Sequence, residues 1–361
     1  MPSDSSFRFL ETYQDNAPPQ LFLSSLFKTP EKNFHNSDKV TIDILRNDPR
    51  IAVAHPEAYE GGARMVERTK WVNLEYTPVR YDTGVNISSF NSTKRAPGVD
   101  PFQDPTTMRN MVGETMATVR MIDDMTRRGV ELQCAQVLTS GAITLKDASN
   151  TTVFSCNFNP KSTHFPALGT AWAADGSTGD PEGDISAIAE VIRRDGKLPV
   201  TQVIMGRLAV QRFFANSKIR ANLNLYKANF GTVEPVQKIG NATFHGRLQL
   251  GTEVIEVWSY KETYIDPNSG AQTPFVADNK VIVRAPDGRL DLTYGAITTV
   301  LPPDSRLAQF MPSRLSDAST GLDVSINAYV TPNNKNLVVE VGTRALAIPT
   351  ALDTFGCLTV F

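Results

Sequence analysis

Basic residues are not in excess in this 361-residue chain, because 36 lysines and arginines are balanced by 38 aspartates and glutamates, which leaves a formal net charge of −2. A protein that coats nucleic acid by neutralising its phosphates needs a clear basic excess. The composition therefore argues against tight DNA binding, although it allows the chain to lie next to DNA without binding it tightly.

Cysteine is also scarce, and Cys134, Cys156 and Cys357 show no CxxC spacing, so the sequence predicts no disulfide framework and favours a reducing compartment. No apolar run approaches the roughly 20 residues that span a bilayer. Residues 1–6 lack the basic start and apolar core of a signal peptide. We therefore expect a soluble protein that is intracellular when it is made and has no membrane partner.

Recognisable catalytic and metal-binding motifs are missing as well: there is no GxxxxGK[ST], no GxSxG and no HExxH. The acidic, glycine-rich residues 175–184 lack the glycine and glutamate that a calcium loop needs at its sixth and twelfth positions. The histidines are scattered singly, at His35, His55, His164 and His245. The sequence thus predicts no catalytic residue, no metal and no cofactor. The missing motifs argue against an enzyme but do not exclude one.

The first 46 residues have the composition of an arm rather than a domain, because one short apolar cluster stands among polar residues and prolines. That cluster cannot form a core alone, so it must dock onto its own body or onto a neighbouring subunit. Its candidate contact residues are Leu21, Phe22, Leu23 and Phe27.

Residues 47–82 are predicted to form a long β-excursion. Gly61 and Gly62 permit the positive φ of a turn, and residues 71–77 alternate polar and apolar side chains with the period of a strand. A hairpin with one apolar face is not independently stable in water and must lie on another surface. Its basic residues include Arg64, Arg68 and Lys70.

The clearest element is a helix over about 104–140, which begins with a capping Asp104 and Pro105 and continues with an apolar helical stripe. A helix of this length spans roughly 50 Å. Its methionines, including Met125, are interpreted as core filler. Its acidic residues Glu114, Asp123 and Asp124 are solvated or contact a basic partner surface.

Three further regions follow. Residues 142–145 and 152–156 predict a hairpin, and residues 184–320 predict an α/β region with a buried strand at 203–205 and a helix from Gly206. Residues 321–361 return to strand character.

An arm, a charged excursion, a long helix, an α/β region and a strand return follow one another in the order of the tailed-phage capsid fold, and the chain resembles the phage lambda-type major capsid family. The residues that carry this resemblance are Leu21-Phe22-Leu23, Leu26-Phe27, Asp38-Lys39-Val40, Glu60-Gly61-Gly62, Tyr76-Thr77-Pro78, Thr170-Ala171-Trp172, Asp180-Pro181, Asp184-Ile185, Val203-Ile204-Met205, Phe213-Phe214, Arg344-Ala345-Leu346-Ala347-Ile348-Pro349 and Asp353-Thr354-Phe355.

The resemblance implies an α+β capsid fold whose parts are an N-arm at 1–46, an E-loop β-hairpin at 47–82, a P-domain at 83–183 with its spine helix, an α/β A-domain at 184–320, and P-domain return strands at 321–361. It also implies hexamers and pentamers that build an icosahedral virion shell. The partners implied are a scaffolding protein, separate because the arm begins almost at Met1, a portal protein, an optional decoration protein and packaged double-stranded DNA.

Within such a shell we expect Arg64, Arg68 and Lys70 to meet acidic groups of an adjacent subunit. Glu114, Asp123 and Asp124 on the long helix are the candidate acidic groups, and a solvated face is the alternative for each of these residues. Other functions left open are an encapsulin-like compartment, a soluble α/β enzyme with a cryptic site, and a tail or baseplate component.

Overall fold

The structure is a computed structural model, and it describes residues 21–30, 33–35, 39–46, 70–88, 107–147, 149–226, 236–237, 241–250, 253–266, 268–297, 325–330 and 336–361. Its α-helices are α1 (Thr107–Ser140), α2 (Pro181–Gly196), α3 (Arg207–Ala215) and α4 (Ser217–Tyr226). Short 3₁₀ turns cover Ser24–Leu26, Ser162–His164 and Leu352–Thr354. No helix within these ranges is long and apolar enough to cross a membrane.

The strands, in chain order, are β1 (Val40–Arg46), β2 (Lys70–Tyr76), β3 (Tyr81–Ser88), β4 (Ala142–Lys146), β5 (Thr152–Asn157), β6 (Gln202–Met205), β7 (Val236–Gln237), β8 (Ala242–Leu250), β9 (Glu253–Tyr260), β10 (Thr263–Ile265), β11 (Gln272–Pro274), β12 (Lys280–Arg284), β13 (Asp291–Tyr294), β14 (Ser325–Val330), β15 (Asn336–Thr343), β16 (Ala345–Ile348) and β17 (Phe355–Thr359).

The 34-residue helix α1 confirms the predicted long helix. The predicted capping residues Asp104 and Pro105 lie outside the described residues. Its inner side is buried, as the predicted stripe requires; Val119, Ile122 and Leu138 each have none of their surface exposed. Gly129 lies where the ring of Tyr81 crosses the helix, and a Cβ atom there would come within 3.0 Å of that ring. The glycine therefore lowers helix propensity but admits a close contact with β3.

A six-stranded sheet in the order β17-β12-β6-β9-β8-β7 forms the centre of the α/β region. Only the β6–β9 pair among these strands is parallel. Alternate residues of β12 enter two different cores: Ile282 packs with α1, whereas Val281 and Val283 pack with α2 and α3. The strand β17 belongs to this sheet, so the predicted division at residue 320 cuts across it.

The three strands β14, β15 and β3 form a second sheet, in which β3 pairs with β15 from Tyr81↔Thr343 to Ser88↔Asn336. The predicted hairpin at 142–156 is confirmed by the antiparallel pair β4–β5. A separate two-stranded ribbon pairs β1 with β2, from Val40↔Tyr76 to Arg46↔Lys70. Residues 40–46, predicted as the end of the arm, therefore form one strand of the predicted excursion.

Candidate assembly surfaces

The apolar cluster of the predicted arm is docked on its own chain. Leu21, Phe22, Leu23 and Phe27 are between 0% and 6% exposed. The Phe22 ring lies 5.2 Å from the ring of Trp258. Of the two docking places that the sequence left open, the structure shows the subunit's own body. These four side chains leave almost no surface for a neighbouring subunit, so their expected role in an intersubunit contact is replaced by an intrachain one.

Sequence reasoning did not single out Glu131, which holds this cluster in place. Its carboxylate, on α1, has none of its surface exposed. Oε1 accepts hydrogen bonds from Leu23 N at 2.8 Å and from Tyr260 Oη at 2.7 Å, and Oε2 accepts one from Ser24 N at 2.7 Å. One side chain therefore joins the N-terminal turn, the long helix and strand β9.

Burial dominates the electrostatics of this contact. It raises the pKa of Glu131, against the opposing effect of hydrogen bonds from Tyr260, Leu23 and Ser24. Burial, and then the charge of Glu131, raise the pKa of Tyr260. A signal for this site exists in the sequence, because Glu131 stands among the buried helix residues Val130, Cys134 and Ala135. An acid in that stripe must find donors, but the sequence does not say which donors.

Two of the three predicted basic residues, Arg64 and Arg68, lie outside the described residues, as do the predicted turn residues Gly61 and Gly62. Lys70 is the first residue of β2, opposite Arg46 at the far end of the ribbon. Glu114 lies in the first half of α1, and its side chain is outside the described part. The structure thus places Lys70 and Glu114 by backbone position only.

The two adjacent acids of α1 differ in their surroundings. Asp123 exposes 6% of its side chain and lies 3.0 Å from the Nε atom of Arg127. Asp124 exposes 41% and lies 3.2 Å from Nε of Arg128, whose Nη1 atom is also 2.8 Å from Glu262. Asp123 was predicted as a contact for a neighbour, but its burial gives it an intrachain role. Asp124 retains enough exposed surface for a partner.

Two methionines on the outer side of α1 are exposed although they are large and apolar. Met121 is 52% exposed and Met125 is 54% exposed. They are four residues apart and therefore neighbours on one helix face, beside Asp124. The interpretation of Met125 as core filler is wrong, because the helix turns this position away from the core. The result is an outer face of α1, consisting of Met121, Asp124 and Met125, with apolar and acidic groups side by side.

The comparisons with known proteins agree with this fold. Residues 9–360 match the model of a family described as phage major capsid protein E. A prophage protein of Escherichia coli CFT073, proposed to be a capsid protein, superposes with a TM-score of 0.63 at 15% identity, over 100% of this chain and 99% of that chain. The α+β capsid fold expected from the sequence is thereby confirmed.

Two further structures are similar over most of their length. The capsid of cyanophage P-SCSP1u has a TM-score of 0.46 at 10% identity, over 95% of this chain and 89% of that chain. The holo-SrpI encapsulin complex of Synechococcus elongatus PCC 7942 has a TM-score of 0.44 at 11% identity, over 95% and 92%. The comparison with curated proteins gives no match.

Proposed function

We propose, from the fact that this chain belongs to the phage major capsid protein E family, that its copies assemble as hexamers and pentamers into the icosahedral shell of a tailed phage. The family is one of structural capsid proteins, so the chain is a shell protein of the virion and not an enzyme. The observation that carries the proposal is the extent of the family match, which covers nearly the whole chain. Synthesis in the host cytoplasm before assembly is part of the proposal.

The proposed partners follow from the same role. A separate scaffolding protein sets the curvature during assembly, a portal protein occupies one vertex, and a decoration protein is an optional addition. Double-stranded DNA fills the shell without sequence-specific contacts. The formal net charge of −2 supports this last point, because a subunit without basic excess encloses DNA but does not bind it tightly.

The proposed contact between neighbouring subunits brings the ribbon tip, by which we mean the predicted excursion residues 47–69 together with Lys70, onto the outer face of α1. Arg64, Arg68 and Lys70 would meet Asp124 and Glu114 of the adjacent subunit. Exposed ion pairs contribute only about 0–1 kcal/mol each, so they set register rather than strength. Burial of the exposed methionines on the same face contributes the larger share, at about 25 cal/mol per Å² of apolar surface.

Electron microscopy of the purified chain, expressed alone and together with its genomic neighbours, tests this function. Closed shells, or free hexamers and pentamers, are the expected result. Shells that enclose a protein cargo would indicate an encapsulin-like compartment, and rings or tubes would indicate a tail or baseplate component. A uniform small particle under every condition would contradict the proposal and direct attention to an enzyme.

Charge reversal in the ribbon tests the intersubunit contact. The double variant Arg64→Glu/Arg68→Glu is expected to reduce the yield of closed shells several-fold, because repulsion replaces attraction towards Asp124 and Glu114 at every repeated contact. The yield is measured by sedimentation and electron microscopy. The matched control is Arg193→Glu/Arg194→Glu, which makes the same change on the exposed side of α2, where these side chains are 53% and 63% exposed. Normal shell yield for the ribbon variant would refute the contact.

A further inference from the structure

The β1–β2 ribbon is connected to β3 through a short linker, residues 77–80, in which the chain passes from one sheet to another. On one side of the linker β2 pairs only with β1 among the described strands, and on the other side β3 pairs with β15 on the body. A two-stranded ribbon has little stability of its own. Its direction therefore depends on how its base is held.

Contacts on both sides of the linker hold the two strand ends. The Tyr76 ring, at the end of β2, lies 5.7 Å from the ring of Phe158. The Tyr81 hydroxyl, at the start of β3, accepts a hydrogen bond of 2.8 Å from Gln133 Nε2 on α1. Between them Pro78 is buried. The strand ends are thus fixed in position, and the linker backbone between them sets the angle.

One guanidinium binds that backbone. Arg344, between β15 and β16, donates from Nε to the carbonyl oxygen of Pro78 at 3.2 Å and from Nη1 to that of Ala296 at 3.0 Å. Its own carbonyl accepts from Gly295 N at 2.9 Å. The planar guanidinium holds two acceptors in fixed directions, which a lysine ammonium on a flexible stem does not do.

We infer that Arg344 is a positioning residue that sets the angle at which the β1–β2 ribbon leaves the body of the subunit. The ribbon is a lever, because seven residues of strand extend about 23 Å at 3.3 Å per residue. A rotation of about 10° at the base moves its far end by about 4 Å, which is enough to misplace a side-chain contact. If the proposed function holds, this angle decides where the ribbon reaches the neighbouring subunit and how uniform the shells are.

Distance measurement on the unassembled full-length chain tests the angle without reference to shells. Spin labels on Arg46→Cys, at the far end of β1, and on Arg120→Cys, exposed on α1, report the ribbon position by pulsed electron resonance. The native cysteines are buried, so labelling is selective. In the native background we expect one narrow distance distribution. With Arg344→Gln its width should at least double, and with Arg344→Lys it should increase less, because one of the two hydrogen bonds can persist.

The matched control is Arg80→Gln. Arg80 belongs to the same linker, and its side chain pairs with the neighbouring Asp82 at 2.8 Å. Its loss should leave the distribution unchanged. An unchanged distribution in both Arg344 variants would overturn the inference; should Arg344→Gln fail to fold, Arg344→Lys decides alone.

Shell uniformity gives the second readout. Shells of the Arg344→Gln chain should vary more in diameter than those of the native chain or of Arg80→Gln. A native chain that forms no shells would refute the proposed function but leave the distance result standing. Uniform shells together with a broadened distance distribution would confine the role of Arg344 to the free subunit and overturn its consequence for assembly.

Discussion

Replacing Glu131 by alanine is expected to lower the free energy of unfolding of the subunit by about 3–5 kcal/mol. The substitution leaves the N–H groups of Leu23 and Ser24 and the hydroxyl of Tyr260 without their acceptor in a fully buried place. Each buried donor without a partner costs about 1–3 kcal/mol, and the relief of burying a carboxylate offsets only part of this. Urea denaturation of the unassembled subunit measures the change.

Two variants make this result specific. Glu131→Gln retains one acceptor oxygen but places an amide NH₂ group among hydrogen-bond donors. Its free energy of unfolding should therefore lie between that of the native chain and that of Glu131→Ala. Gln136 lies on the same helix, and its side chain makes solvent-exposed hydrogen bonds with the backbone of Thr144. The variant Gln136→Ala removes them and should cost under about 1 kcal/mol. If Glu131→Ala proves as stable as Gln136→Ala, the carboxylate does not hold the N-terminal turn.

The same substitution should loosen the N-terminal turn before the rest of the subunit unfolds. Phe22, Leu23 and Phe27 would still bury apolar surface, so the segment should open more often rather than detach. Hydrogen exchange of the peptide that contains residues 21–27 is expected to accelerate selectively in Glu131→Ala. Equal acceleration across the whole of α1 would instead indicate global destabilisation.

The double variant Met121→Lys/Met125→Lys is expected to reduce the yield of closed shells at least tenfold while leaving the subunit folded. Both side chains are more than half exposed, so the stability of the subunit should change by under about 1 kcal/mol. In the shell, two ammonium groups would be desolvated on a surface that we propose to be covered, and they would repel the basic ribbon tip. Because every subunit repeats the contact, a small penalty per contact is multiplied over the shell.

Val153→Lys is the matched control, because Val153 is a large apolar residue of similar exposure, 56%, on β5. Per substituted residue it changes charge and apolar surface by a comparable amount away from the outer face of α1, so it should reduce the yield much less. The variant Met121→Gln/Met125→Gln separates the two causes, since it removes apolar surface without adding charge and should have an intermediate effect. Full shell yield from the double lysine variant would show that the outer face of α1 is not covered by a neighbour.

The sequence predicted those elements whose patterns are local. The stripe of α1 repeats over many turns, so the sequence predicted this long helix, and the alternation at 71–77 predicted strand β2. The hairpin β4–β5 was signalled by two β-rich runs around a turn. In each case the period of the side chains directly reflects the period of the backbone.

Such local patterns do not predict which distant segments of the chain pair or pack with one another. The strand β1 was assigned to the arm because the sequence of residues 40–46 does not indicate that they pair with β2, about 30 residues later in the chain. Met125 was placed in the core because its spacing fits the apolar stripe. The width of the buried face of a helix, however, is set by the elements that pack against it. Met125 lies outside this buried face and is part of the exposed surface of α1.

By itself, then, the sequence determined the long helix, the strand-forming segments, the absence of a basic excess, and the order of parts that resembles a capsid protein. Local side-chain periodicity and composition are sufficient for these, since they depend on neighbours in the chain. Only the tertiary structure decided that Glu131 binds the N-terminal turn, that Asp123 is enclosed while Asp124 and Met125 are exposed, and that Arg344 reaches Pro78, 266 residues away in sequence. A hydrogen bond depends on distances of about 3 Å between groups whose meeting is decided by the packing of the whole chain.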